Sequence, residues 1–204
     1  MSVAMSSFGS GDVVRFGRRR GWLLHHLWAL AQRLGFLRGL EHVDWSRVRR
    51  LIFICRGNIC RSAYAEQRAR EMGLPALSFG LRARAGRQAD ATAILAARSR
   101  GLDLRKHRAH SFSDFLPKPG DLLVAMEPGQ LPALMRWTRG TQIQATLLGL
   151  WCSPPRPYLQ DPYGLSADYF QVCFGCIDAA TRAIADRIAA LRAGAERISR
   201  ELAK

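Results

Sequence analysis

From residue 51 onward, short apolar runs alternate with segments whose apolar residues recur at helical spacing. Residues 51–54, Leu-Ile-Phe-Ile, are uniformly apolar and mostly β-branched or aromatic. That pattern predicts a short strand buried on both faces. Strong helix formers follow over 63–72, stopped by Gly73 with Pro75 just beyond. A second strand is predicted over 76–80, then a polar loop over 81–88. Asp90 is placed to cap a helix over 91–100 that Gly101 ends. The third strand is predicted over 121–126, a helix around 131–138 and a fourth strand over 143–148. A proline-rich loop at 153–157 leads to Asp161, and residues 166–200 carry Ala, Ile and Leu at helical spacing. Alternating strands and helices imply an α/β fold, here a four-stranded parallel sheet with helices on both faces. In such sheets ligands sit beyond the carboxyl ends of the strands, which is where Cys55 falls.

The first fifty residues read differently. Residues 1–20 are rich in Gly and Ser and then basic, ending in Arg18-Arg19-Arg20, and read as a disordered basic N-terminus. Residues 21–48 read as an amphipathic helical extension, leaving the α/β domain over 49–204. Within the extension, 22–40 is helical and apolar, but His25, His26, Gln32 and Arg33 interrupt it. Fewer than ~18 consecutive apolar residues remain, too few for a membrane span. Adjacent histidines in that stretch argue against an export signal. Trp22, Leu27, Trp28, Leu34 and Leu37 could make one apolar face. Two roles stay open: a helix lying on an anionic membrane surface, or one packed on the catalytic domain or a partner.

Candidate chemistry concentrates at Cys55-Arg56-Gly57-Asn58-Ile59-Cys60-Arg61-Ser62. A strand that feeds a tight loop opening a helix is an anion cradle: loop amides point inward and the helix N-terminus adds partial positive charge. Arg61 can grip two oxygens of one phosphate, and the same field favours the thiolate form of Cys55, a nucleophile. Gly57 and Asn58 tolerate left-handed backbone, which a loop wrapped around a small dianion needs.

Charge enlarges this picture. The chain carries a formal +15 with pI near 11.0, against an ordinary 48% hydrophobic and 23% charged content. Residues 1–50 hold nine Arg against three acidic residues, and 51–204 hold twenty-two basic against thirteen acidic, so both parts are basic. An Arg-rich compositional bias accounts for this as well as attraction to phosphorylated substrates, anionic lipid or nucleic acid does. No basic-aromatic motif or nucleic-acid module is present, so nucleic acid is not an expected partner. Five cysteines without framework spacing, one of them nucleophilic, suit a reducing compartment and so the cytoplasm. Cys173-x-x-Cys176 lacks a second ligand pair for zinc and reads as core packing or an inert pair.

The run Cys55–Ser62 resembles the phosphate loop of low-molecular-weight protein tyrosine phosphatases, C-x-G-N-I-C-R-S. Ser78-Phe-Gly-Leu81, Ala89-Asp90, Gly101-Leu-Asp-Leu104, His107-Arg-Ala109, Asp121–Met126 and Asp161-Pro-Tyr-Gly164 match later landmarks in order. The resemblance covers roughly residues 50–200. It implies a flavodoxin-like three-layer fold and hydrolysis of phosphotyrosine through a phosphocysteine, with no metal or cofactor. Asp161, on a loop stiffened by Pro162, is then the general acid, Tyr163 lines the pocket mouth, and Arg84 with Arg82 forms a wall opposite Arg56. Asn58 fixes the loop, His107 bonds to Asn58, and Cys60 can pair reversibly with Cys55 on oxidation. Ile59 stands where the phosphoarginine-specific branch has Thr, favouring phosphotyrosine. The spacing resembles the bacterial exopolysaccharide-associated type, whose partners are autophosphorylated tyrosine kinases. Ala63 replaces the usual Pro at the helix start, and one Tyr follows Asp-Pro where many relatives have two. A thiol-dependent arsenate reductase shares the loop but needs relay cysteines, and 81–110 has none. The same cradle would also serve a non-catalytic phosphoprotein-binding module, or a hydrolase of phosphoarginine or a small phosphate ester.

Overall fold

The computed structural model describes residues 9–202. Three N-terminal helices, α1 (Ser10–Phe16), α2 (Arg19–Arg33) and α3 (Arg38–Glu41), precede the alternating part of the chain. That part runs β1 (Arg50–Cys55), α4 (Arg61–Glu71), β2 (Ala76–Gly80), α5 (Ala91–Arg98), β3 (Asp121–Ala125), α6 (Leu131–Thr138), β4 (Gln144–Leu147) and α7 (Ala167–Leu202). The four strands form one parallel sheet in the order β2-β1-β3-β4. β1 is therefore central, and the chain reverses its direction of travel across the sheet there. Cys55 ends β1 opposite Gly80, and Ile54 pairs with Ala125. The switch point of the sheet and the candidate nucleophile coincide.

Alternation along β1 makes the three layers. Leu51, Phe53 and Cys55 join one apolar cluster with Tyr64, Ala65, Phe170, Phe174 and Ile177 of α4 and α7. Ile52 and Ile54 join the opposite cluster, with Phe112, Phe115, Leu134 and Leu147. Burying a side chain such as Phe53 contributes roughly 1.5–3 kcal/mol. Asp178 of α7 ties the first layer together by accepting from Tyr64 Oη and Arg68 Nε at 2.7 Å and from Arg100 Nη1 at 2.8 Å. Asp90 caps α5 through Thr92 N and Ala93 N. Cys173 packs in the core, whereas Cys176 turns toward Cys152 and accepts from Arg156 Nη1 at 3.1 Å. The hydrogen bond from Cys152 lowers its pKa, with the Arg156 charge in support and burial opposing.

The extension departs from its sequence reading in two ways. Residues 10–16 and 19–20, expected to be disordered, are helical; residues 1–8 lie outside the described residues. Order here comes from docking: Phe16 is buried, Arg156 sits 5.4 Å over its ring, and Arg156 Nη2 donates to Arg15 O. The single helix expected over 22–40 instead stops at Arg33. Gly35 takes φ +84°, with Gly35 N donating to Gln32 O and Phe36 N to Ala31 O, a Schellman stop. The five expected apolar residues do not share a face. Trp28, Leu37 and Leu40 pack on the second core layer, and Thr146 Oγ1 donates to Leu40 O at 2.6 Å. Leu27 and Leu34 join Leu23 and Leu30 in an exposed row along α2. Among the described residues, no helix is long and apolar enough to cross a membrane.

His25 sits where α2 meets this docking region, its ring 4.9 Å from that of Phe16 and its Nδ1 buried without a partner. Burial first, then Arg156, lowers its pKa from 6.5 to about 4. The folded state therefore binds fewer protons than the unfolded one between these values. His25 costs nothing above about pH 6.5 and destabilises progressively as pH falls toward 4. His25→Phe should flatten that part of the wild-type melting-temperature profile; an unchanged slope would contradict the assignment.

Candidate active site

The cradle is built from the end of β1 to the start of α4. Asn58 is the one non-glycine described residue with positive φ, +54°, and it is fully buried. Its side chain holds that conformation: Nδ2 donates to Ser62 Oγ at 2.9 Å and Ser78 Oγ at 2.7 Å, while Oδ1 accepts from His110 N at 2.8 Å. His107 Nε2 lies 2.7 Å from Asn58 O. A carbonyl only accepts, so Nε2 carries the proton; burial lowers the ring's pKa, partly offset by this bond. Gly80 is required beneath the loop, because a Cβ there would lie 2.8 Å from Asn58 N and 2.9 Å from Arg56 O. Asn58→Ala removes three side-chain bonds at a left-handed position. We expect a loss of about 2–4 kcal/mol in denaturant unfolding, with turnover at least tenfold lower.

Cys55 Sγ lies 3.0 Å from Ser62 Oγ and accepts from Asn58 N at 3.2 Å. The residue is 3% exposed, yet lines a cavity of about 610 Å³ rather than being sealed in the core. Cys60, in the same loop, is held as a thiol because burial, reinforced by the Asp161 charge, raises its pKa. Arg61, with no exposed surface, donates through Nη1 to Leu159 O at 2.7 Å. Its Nη2 is 3.0 Å from Asp161 Oδ2 and 3.6 Å from Glu127 Oε1, off the N–H directions, and its Nε has no partner. Burial disfavours the charged guanidinium, but the two carboxylates more than offset this and its pKa is raised. Two unspent donors, Nε and Nη2, on a buried cation within electrostatic reach of Cys55 suit a phosphate dianion.

Asp161 reaches this spot on a pinned loop. Leu159 N donates to Met126 O, Tyr169 Oη to Gln160 O, and Tyr158 Oη to Gln160 Oε1. The structure thus brings Cys55 and Asp161, far apart in sequence, to the wall of one cavity, with Arg61 buried against Asp161 behind it. Arg56, Gly57, Ile59, Cys60 and Tyr163 also line it, and Ser62 sits behind the sulfur. Arg84 does not: it is exposed and absent from the wall. The turn at Gly86, φ +78°, presents Arg87 instead, whose guanidinium sits 5.7 Å over the Tyr163 ring.

Six cavity residues escaped the sequence reading, among them Gln160 beside Asp161 and the Arg87 just described. Glu127 and Tyr158 carry no motif, although Glu127 follows β3 at the same sheet rim as Cys55, and that position was a usable signal. Arg18 and Arg20 come from the extension, and nothing in their local sequence points to a site.

The model of the low molecular weight phosphotyrosine protein phosphatase family matches residues 50–196. The chain belongs to that family. Among curated relatives, the low molecular weight protein-tyrosine-phosphatase Etp of Escherichia coli K12 is 31% identical over 143 residues, 68% of this chain and 93% of Etp. The low molecular weight protein-tyrosine-phosphatase Wzb of Salmonella typhi is 30% identical over 135 residues, 65% of this chain and 89% of its own. The crystal structure of the Erwinia amylovora tyrosine phosphatase AmsI superposes with TM-score 0.62 at 26% identity, covering 72% of this chain and 97% of AmsI. Low molecular weight phosphatases are cysteine-dependent hydrolases, and the four-stranded parallel sheet here is theirs. The family match begins at residue 50, so α1 to α3 lie outside it.

Proposed function

We propose that this protein hydrolyses phosphotyrosine in protein substrates by double displacement at Cys55. The thiolate attacks phosphorus in line, forming the S–P bond as the tyrosyl C–O–P bridge breaks at phosphorus. Arg61 and the loop amides hold the three equatorial oxygens. Asp161 donates a proton to the departing phenolic oxygen, then takes one from the water that cleaves phosphocysteine. Ser62 Oγ, 3.0 Å from Cys55 Sγ, stabilises the sulfur as it leaves in the second step. Asn58 and His107 keep the loop in shape, while Ile59, Tyr158 and Tyr163 offer an apolar and aromatic mouth to a phenyl ring. The observation that carries this reading is the convergence of a loop-bound sulfur, a buried guanidinium and a carboxylate 3.0 Å from it at the sheet's switch point.

The natural partner we infer is a phosphotyrosine protein, with an autophosphorylated tyrosine kinase as the candidate that the family resemblance implies. The exposed row Leu23, Leu27, Leu30 and Leu34, with Arg33 and Arg38 exposed nearby, supports a peripheral seat on an anionic membrane surface. Purified protein should hydrolyse phosphotyrosine peptides and aryl phosphates. Failure on both, across the mildly acidic to neutral range, overturns the hydrolase reading.

A further inference from the structure

The extension reaches the active site through the run Gly17-Arg18-Arg19-Arg20-Gly21, and both glycines are there for contact. Gly17, at φ +79°, lies where a Cβ would come 2.6 Å from Leu165 Cδ1 and 3.1 Å from Tyr169 Cε1. A Cβ on Gly21 would meet Phe16 O at 2.2 Å and Gln160 Cγ at 3.2 Å. The turn between α1 and α2 is thus pressed onto the 160–169 segment that carries Asp161. Arg18 Nη2 donates to Gly164 O at 3.4 Å, closing the contact at the end of Asp-Pro-Tyr-Gly.

This docking sets Arg18 and Arg20 in the wall of the cavity that holds Cys55. Arg56 comes to the same wall from the phosphate loop, and Arg82 and Arg87 from the loop after β2. All five are exposed, whereas Arg61 is buried behind Asp161. The two acidic residues of the wall, Glu127 and Asp161, both face Arg61. One phosphate dianion is already matched by Arg61, the loop amides and the helix start. The five outer guanidiniums therefore exceed what the phosphoryl group needs, and they form a positive rim around its entrance.

We propose that Arg18 and Arg20 are specificity-determining residues that bind negative charge flanking the phosphotyrosine, so that the preferred substrate is an acidic phosphopeptide segment. The proposal rests on the phosphotyrosine reading above. The flanking charge can come from Glu or Asp carboxylates or from a second phosphate, chemistry that guanidinium forks accept equally. These two residues lie outside the region shared with the family, so the rim they complete belongs to this chain's extension.

The test compares three phosphotyrosine peptides, with neutral flanks, with Glu flanks and with a second phosphotyrosine, on the full chain at low salt. Wild type should show kcat/KM about tenfold higher on at least one acidic peptide than on the neutral one, through KM, with the ratio falling as salt rises. Arg18→Ala/Arg20→Ala should lower that ratio about three- to tenfold, and Arg18→Glu/Arg20→Glu should lower it further. Melting curves establish that the variants fold. A wild type without acidic preference, a ratio unmoved by the substitutions, or an equal loss on all three peptides overturns the proposal. The last outcome marks a purely structural extension. Absence of any peptide hydrolysis by wild type overturns the phosphotyrosine reading itself, and is told apart from these because no ratio can then be formed.

Discussion

Replacing Cys55 with Ser is expected to abolish aryl phosphate turnover, by at least roughly 10⁴-fold, while leaving phosphate analogues bound. The expectation follows from the division of labour in the cradle. Binding rests on Arg61, the loop amides and the start of α4, none of which the substitution touches. Bond making rests on the sulfur. A hydroxyl at residue 55 stays protonated at neutral pH, and its side-chain neighbour Ser62 Oγ, 3.0 Å from the sulfur, is itself a hydroxyl and no base. Isothermal titration with vanadate or phosphate, alongside steady-state assays, separates the two functions. Loss of anion binding together with turnover would mean that the loop collapsed, and the Asn58 hydrogen bonds would be the place to look.

The second large effect belongs to Asp161. Asp161→Asn preserves the loop contacts but supplies no proton, and turnover should fall about 10²- to 10⁴-fold for a phenyl phosphate. The loss should shrink as the leaving group improves, because a nitrophenolate departs without protonation. A plot of log kcat/KM, which reports the first displacement, against leaving-group pKa should therefore be shallow for wild type and steep for the variant. The substitution also removes one of the two carboxylates that face Arg61. Glu127, 3.6 Å from Nη2, remains and keeps the buried guanidinium compensated, so the fold should survive. Equal losses across all leaving groups would assign Asp161 to charge balance rather than proton transfer.

Much of the catalytic half was legible because its signals are local and redundant. The run at 51–54 is apolar at every position, and its two alternating sets bury against different layers, as a central parallel strand must. The loop after it combines left-handed-tolerant residues with an arginine at the helix start, and no ordinary turn needs that combination. Spatial neighbours were less readable. Arg84 and Arg87 are equally basic and equally polar in sequence; the turn at Gly86 decides which one meets Tyr163. The extension was least readable. Arg18-Arg19-Arg20 reads as solvated charge, and its order is set by tertiary contacts of Phe16, Gly17 and Gly21 that no local pattern encodes. Its leucines read as one greasy face, yet Trp28 and Leu37 turn inward and Leu23, Leu27, Leu30 and Leu34 outward.

The account stands on a covalent phosphoryl group carried by one sulfur. The most direct measurement is acid quenching of Asp161→Asn during steady-state turnover of p-nitrophenyl phosphate, whose leaving group departs without a proton, followed by peptide mass mapping. Removing the base of the second step should let the intermediate accumulate, with one phosphoryl group per chain found on Cys55. Continued turnover with Cys55 unmodified, or a phosphoryl group on any other residue, would contradict the mechanism.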